Sequence, residues 1–158
     1  GRQVRGEHAA RSRPGRGARE AHAAHERYAV RASLCLAMHY GDAPVPLSKI
    51  CNDQKISIKY LENIMRLLVK AGIAEGTKGK NGGFVLKKAP SKISMHDIIL
   101  AAEKSLIPVM CVTKPSLCER QQHCIANWLW NGLNKSVTDY LMSLKLSDMI
   151  NMQKKSKH

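Results

Sequence analysis

Cys111, Cys118 and Cys124 carry the most evident chemistry in this chain, with six residues between the first two and five between the last two. Thiolates ligate soft and borderline metals and oxidise reversibly. The spacing lets one loop fold all three around a single centre, and Pro108, Pro115 and the lack of periodicity predict such a loop. Three thiolates leave a zinc or iron-sulfur inventory one ligand short. His123 is the adjacent candidate, Asn127 lies close by, and His25 or Glu26 near the first helix are more remote. The bland alternative is a surface loop with three unligated thiols. Cys35 and Cys51 sit on apolar faces and read as small core residues. An odd total of five cysteines, with no apolar segment opening the chain, argues against a disulfide scaffold and for reduced thiols.

A second set of residues suits recognition of a polyanion. Ser57, Lys59, Tyr60, Glu62, Asn63 and Arg66 occupy the outward positions of a predicted helix. Lys59 and Arg66 suit phosphate or guanine, Tyr60 and Ser57 suit phosphate oxygens, and Glu62 can accept from the cytosine amino group. A carboxylate facing DNA costs non-specific affinity, so Glu62 is either a specificity device or a solvated helix residue. Lys78, Lys80 and Asn81 lie in a glycine-rich stretch between two short apolar runs. There, lysines and close backbone approach suit a wing that follows a phosphate backbone or enters a minor groove.

The elements that must position these residues follow from periodicity. Tyr28, Ala32, Cys35, Leu36 and His39 predict a first helix, ending at Tyr40-Gly41-Asp42. Leu47, Ile50 and Cys51 predict a short second helix and Gln54-Lys55-Ile56 a turn. Ser57 stands where an N-cap is wanted, and Ile58, Leu61, Ile64, Met65 and Leu68 give the third helix a buried stripe, with Gly72 suited to a left-handed end. Two such helices about a tight turn match the helix-turn-helix, whose second helix enters the major groove. Residues 73–76 and 83–86 predict the strands of a hairpin, with Asn81-Gly82-Gly83 as its positive-φ tip. Ser91 or Ser94 can cap a fourth helix through Ile98, Ile99 and Ala102. After the cysteine loop, Ile125, Trp128, Leu129, Leu133, Val137, Tyr140 and Leu141 mark a long amphipathic helix that needs a partner. The fold expected is mainly α with a small β wing: a winged helix-turn-helix over 25–90, then the cysteine loop and a dimerisation helix over 91–150.

Length, composition and charge bound the function. A chain of 158 residues with 44% hydrophobic content supports one modest core. Its formal charge of +14 favours nucleic acid, with an anionic membrane surface as the competing explanation. No apolar run approaches the ~18 residues that cross a bilayer, so a soluble, cytoplasmic protein without a membrane partner is expected. Every basic residue up to Arg31 is arginine and the first lysine is Lys49. Residues 1–24 are expected to be a flexible arm, an expression remnant or a misplaced start, and 151–158 a disordered tail. No nucleophile-base set or phosphate-binding loop stands out, so an enzyme is not expected.

Several segments carry a family resemblance: 27–31 (RYAVR), 58–62 (IKYLE), 67–72, 78–86 (KGKNGGFVL), 93–98, the three cysteines, Trp128 and 144–149. In order over residues 27–150, they resemble the IscR-type transcription regulators of the Rrf-two family. The resemblance implies a homodimeric repressor or activator on double-stranded DNA, with the third helix in the major groove and the wing in the minor groove. In members with three cysteines it implies a 2Fe-2S or 4Fe-4S iron-sulfur cluster that senses iron-sulfur status, nitric oxide or redox state. Relatives place a fourth ligand three residues after the last cysteine or just before the Tyr-Ala pair, and those positions here hold Asn127 and Arg27. Two alternatives stand beside the cluster sensor: a cluster-free regulator with a structural zinc or thiol site, and a winged helix that docks a protein partner. In the sensor, the loop is expected to bias the dimerisation helix and so the separation of two recognition helices.

Overall fold

The computed structural model describes residues 16–103, 106–107 and 109–156, with side chains from His25 onward except that of Met110. Helix α1 spans Arg16–Met38, well upstream of the start expected near Tyr28. Ala18, Ala21, Ala23 and Ala24, with Arg19 and Glu20 among them, are strong helix formers. The expected flexible arm is therefore helical from Arg16, and residues 1–15 lie outside the described residues. The inner face of α1 presents Ala29, Ala32, Cys35 and Leu36, all buried.

Helix α2 (Leu47–Gln54) buries Ile50 and Cys51 and ends at Lys55, whose left-handed φ of 52° turns the chain and returns its N–H to the Cys51 carbonyl. Helix α3 (Ile58–Lys70) buries Leu61, Ile64, Met65 and Leu68. Ser57 stands at its N-cap in extended conformation, yet its hydroxyl makes no capping bond. The helix ends at Gly72 with φ +70°, where the Gly72 and Ile73 N–H groups return to the Val69 and Leu68 carbonyls.

Strands β1 (Ala74–Thr77) and β2 (Gly83–Leu86) pair antiparallel, with Ala74 opposite Leu86 and Thr77 opposite Gly83. The positive φ of the tip falls at Gly79 (+112°), not within Asn81-Gly82-Gly83 as expected. Gly82 and Gly83 are required for close approach instead. A Cβ on Gly82 would lie 2.4 Å from the Thr77 carbonyl oxygen, and one on Gly83 2.4 Å from that of Val45. Val45 completes the wing by exchanging backbone hydrogen bonds with Phe84 at 3.0 and 2.9 Å.

Ser94, of the two expected candidates, caps α4 (Met95–Ala102), and Asp97 returns a carboxylate bond to the Ser94 N–H in a reciprocal capping box. The short helix α5 (Met110–Thr113) and α6 (Ile125–Ser143) follow. The last helix, α7 (Leu146–Lys155), carries Lys154 and Lys155 in the final turn, where they suit the negative end of the helix dipole. The tail expected to be disordered from 151 is thus helical to Lys155, and residues 157–158 lie outside the described residues. The Leu146 N–H donates to the Ile93 carbonyl and the Met95 N–H to the Leu144 carbonyl. Ile93, Met95, Ile98 and Leu146 consequently share one core with the helix-turn-helix. Residues on both sides of the boundary expected at residue 90 contribute to this core. Full burial of Leu36, Ile50, Leu61, Leu68, Ile98 and Leu146 contributes about 1.5–3 kcal/mol each before the entropy of ordering. Among the described residues no helix is long and apolar enough to cross a membrane.

Candidate functional site

The exposed face of α3 is polar and mainly basic. Lys59, Glu62, Asn63, Arg66 and Lys70 recur at three- and four-residue spacing opposite the buried stripe, so they share one side of the helix. All are exposed except Asn63, which is half-buried and accepts a hydrogen bond from Arg66 Nη2. Lys70, not among the residues the sequence pattern assigns to DNA, extends the same spacing one turn beyond Arg66. Ser57 is exposed just ahead of the helix.

Tyr60, expected to contact phosphate, is half-buried. Its position lies between the polar and buried stripes, and the structure packs its ring against α1. It stacks on His25 at 5.2 Å and 21° and meets Tyr28 edge-on at 5.3 Å and 75°. Burial, with Tyr28 and Glu103 adding to it against the opposing Arg27, pushes its phenol above the ordinary tyrosine range. Arg31 fixes the preceding helix, donating from Nε to Gln54 Oε1 at 2.9 Å and from Nη2 to the Gln54 carbonyl at 2.7 Å. A guanidinium at the carboxyl end of α2 satisfies an otherwise orphan helix carbonyl. Both helices of the pair are therefore held to α1.

The wing tip exposes Lys78, Lys80 and Asn81. Thr77 Oγ1 accepts from the Gly83 N–H at 3.1 Å and the Gly82 N–H reaches the Gly79 carbonyl at 3.0 Å, so the tip is internally braced. Lys87 and Lys88 continue the basic surface beyond β2.

The cysteine segment is a series of short turns and not one featureless loop. Cys111 lies in α5, Cys118 follows a single 3₁₀ turn at Pro115–Leu117, and Cys124 stands at the N-cap of α6. All three thiols are half-buried and none is in a disulfide. Among the described residues no three His, Cys, Asp or Glu side chains are close enough to hold a metal together. As placed, the three cysteines and the exposed His123 do not fit a metal or cluster; the donor types suit one, but the segment would have to close around it. Asn127 is committed elsewhere: its amide donates to the Gln121 carbonyl at 3.1 Å and its Oδ1 accepts from Asn131 at 2.7 Å, bracing the segment on α6. Cys35 and Cys51 are core residues as expected. Burial, then the nearby Asp53, raises the Cys35 thiol despite Lys49, and burial, then Glu62, raises Cys51.

A helix pair with an exposed basic second helix, flanked by a lysine-tipped hairpin, defines the class of winged helix-turn-helix DNA-binding regulators. The family described as "Rrf2: Iron-dependent Transcriptional regulator" matches residues 23–152, and the chain belongs to that family of DNA-binding transcriptional regulators. The HTH-type transcriptional regulator IscR of Erwinia tasmaniensis is 35% identical over 127 residues, 80% of this chain and 76% of that protein. Among solved structures, T. potens IscR is similar with a TM-score of 0.70 at 30% identity, covering 85% of this chain and 88% of the other. CymR (YrzC), described as the global cysteine regulator of B. subtilis, is similar with a TM-score of 0.66 at 28% identity, covering 81% and 94%.

Proposed function

We propose that this protein regulates transcription as a homodimer that reads two DNA half-sites, one through each α3, and responds to the state of its cysteine segment. The observation that carries DNA reading is the exposed stripe of Lys59, Glu62, Asn63, Arg66 and Lys70 beside the Lys78 and Lys80 wing tip. In this reading Lys59 and Arg66 supply phosphate or guanine contacts, Ser57 a phosphate contact, and Glu62 discrimination among bases. Lys78, Lys80 and Asn81 engage the minor groove or its flanking phosphates. Dimerisation is supported by the outer face of α6, where Ile125, Trp128, Leu129 and Tyr140 are 86%, 79%, 55% and 64% exposed. An apolar row of that size calls for a covering partner.

For the signal, we propose an iron-sulfur cluster of the 2Fe-2S or 4Fe-4S type held by Cys111, Cys118 and Cys124, with His123 the nearest candidate for the fourth position. The three half-buried thiols support this donor set. When bound, such a cluster supplies redox and nitric oxide sensitivity. The arrangement described above does not gather the ligands, so no step of DNA recognition is derived through the cluster. Anaerobic reconstitution followed by absorption spectroscopy tests the assignment, and a Cys118→Ala variant that keeps the full cluster spectrum and its effect on DNA affinity would refute it. The ungathered thiols favour a second reading, a cluster-free regulator with a thiol-based site, which metal analysis distinguishes from a cluster or a structural zinc.

A further inference from the structure

A cavity of about 310 Å³ opens where the end of α3, the exit of the wing and the start of α4 meet. Buried Ile73 and Ile93, with the more exposed Leu100 and Ala101, give it an apolar lining. Lys88, just beyond β2, and Lys92, closing the Pro90–Lys92 turn, bring two cations to it. Asp97, in the first turn of α4, brings a carboxylate. Ligand pockets span about 300–1,000 Å³. The low end of that range suits a molecule the size of a free amino acid.

The opposite charges lining this cavity are not spent on each other. Among the described residues, neither lysine ammonium group is in an ion pair or a hydrogen bond. Asp97 commits one of its two oxygens: Oδ2 accepts from the Ser94 N–H at 3.0 Å and from the Ser94 hydroxyl at 2.6 Å. Its Oδ1 lies 4.0 Å from His96 Nδ1, beyond hydrogen-bond range. A simple anion in the cavity meets Asp97, and a simple cation meets two lysines. A ligand that carries both charges on an apolar body satisfies every wall.

We propose that this cavity binds a free α-amino acid with an apolar side chain. Its carboxylate lies on Lys88 and Lys92, its ammonium group on Asp97 Oδ1, and its side chain on Ile73, Ile93 and Leu100. The lining residues include neither the polar stripe of α3 nor any part of the cysteine segment, so the site is separate from both. An occupant touches the end of the reader helix, the exit of the wing and α4 at once, which gives the regulator a place for a small effector.

The test is calorimetric titration of the full chain without DNA, so its outcome does not depend on the DNA-reading proposal. The probes are L-leucine, isoamylamine, which lacks the carboxylate, and isocaproate, which lacks the ammonium group. L-leucine is expected to bind saturably, and each analogue roughly tenfold more weakly or worse, the size of one charge-assisted contact. Lys88→Gln with Lys92→Gln is expected to lose the preference for L-leucine over isoamylamine and keep that over isocaproate. Asp97→Asn is expected to do the reverse. A misfolded chain loses both preferences, so general damage does not mimic this pattern. The proposal is overturned if L-leucine shows no saturable binding, or if either analogue binds the parent chain as tightly. It is equally overturned if the variants, folded by circular dichroism, keep both preferences or lose both together.

Discussion

Glu62 is the residue on the α3 stripe whose presence electrostatics alone would not favour. Exposed between Lys59 and Arg66, it repels every phosphate and can only help at a base that offers a donor. Glu62→Ala is expected to tighten binding to scrambled duplex while lowering discrimination at one base position by about 1–3 kcal/mol, measured by competition with single-substitution duplexes. Lys78 and Lys80 belong to the other kind of contact. Replacing both with alanine is expected to flatten the slope of log affinity against log salt by about 1.8, since each phosphate contact contributes about 0.9. The polar side chains of α3 were legible in the sequence because they stand opposite an uninterrupted apolar stripe, and Lys78 and Lys80 because glycines flank them between two short apolar runs. Tyr60 was not: its spacing leaves it on the flank, and only the arrival of His25 and Tyr28 from α1 decides that its ring turns inward.

At the level of elements, the wing and the α4 cap carry the sharpest expectations. Gly82→Ala would drive a Cβ into the Thr77 carbonyl, with no flexible side chain to yield. It is expected to destabilise the hairpin by roughly 1–3 kcal/mol, seen as rapid amide exchange in β1 and β2, and to weaken DNA binding. Ser94→Ala removes the α4 cap and is expected to cost about 1 kcal/mol in denaturant unfolding. Its partner Asp97 gives this cap a pH dependence. Burial raises the Asp97 carboxyl, but the Ser94 hydroxyl and N–H, with His96 and Lys145 nearby, outweigh that and hold it below the usual range. A carboxylate lowered on folding adds stability that is complete above its unfolded value. That stability is lost as pH falls through the lower folded one, so the gap between wild type and Asp97→Asn closes below about pH 4. The helix pair, the hairpin and the α6 stripe were legible because hydrophobic period is a local property. The α1 extension was masked by arginines that read as an unstructured arm, although the alanines between them favour helix. The tip conformation was assigned to Asn81-Gly82-Gly83 because sequence does not distinguish a glycine needed for positive φ from one needed for close approach.

Helix α7 returns to the core that α1 begins, and among the described elements α6 keeps an extended apolar row uncovered. Sequence gave no local signal for that closure, because it depends on strand-like pairing of Ser94 with Lys145 across the intervening segment. Leu129→Asp combined with Leu133→Asp is expected to convert a dimer of the 17.5 kDa chain to monomer in sedimentation equilibrium, with the core intact. Both residues are exposed in the single chain, so the change costs assembly and not folding. Loss of the dimer should also abolish preference for paired half-sites. The most direct test of the account is therefore selection of duplexes from a random library by the wild-type chain, followed by footprinting of the winners. The expected winner is a two-fold symmetric site whose half-sites lie about 10–10.5 base pairs apart, or a multiple of that, bound far more tightly than scrambled duplex at the same salt. Enrichment of no sequence, with affinity set by salt alone and equal for every duplex, would contradict it.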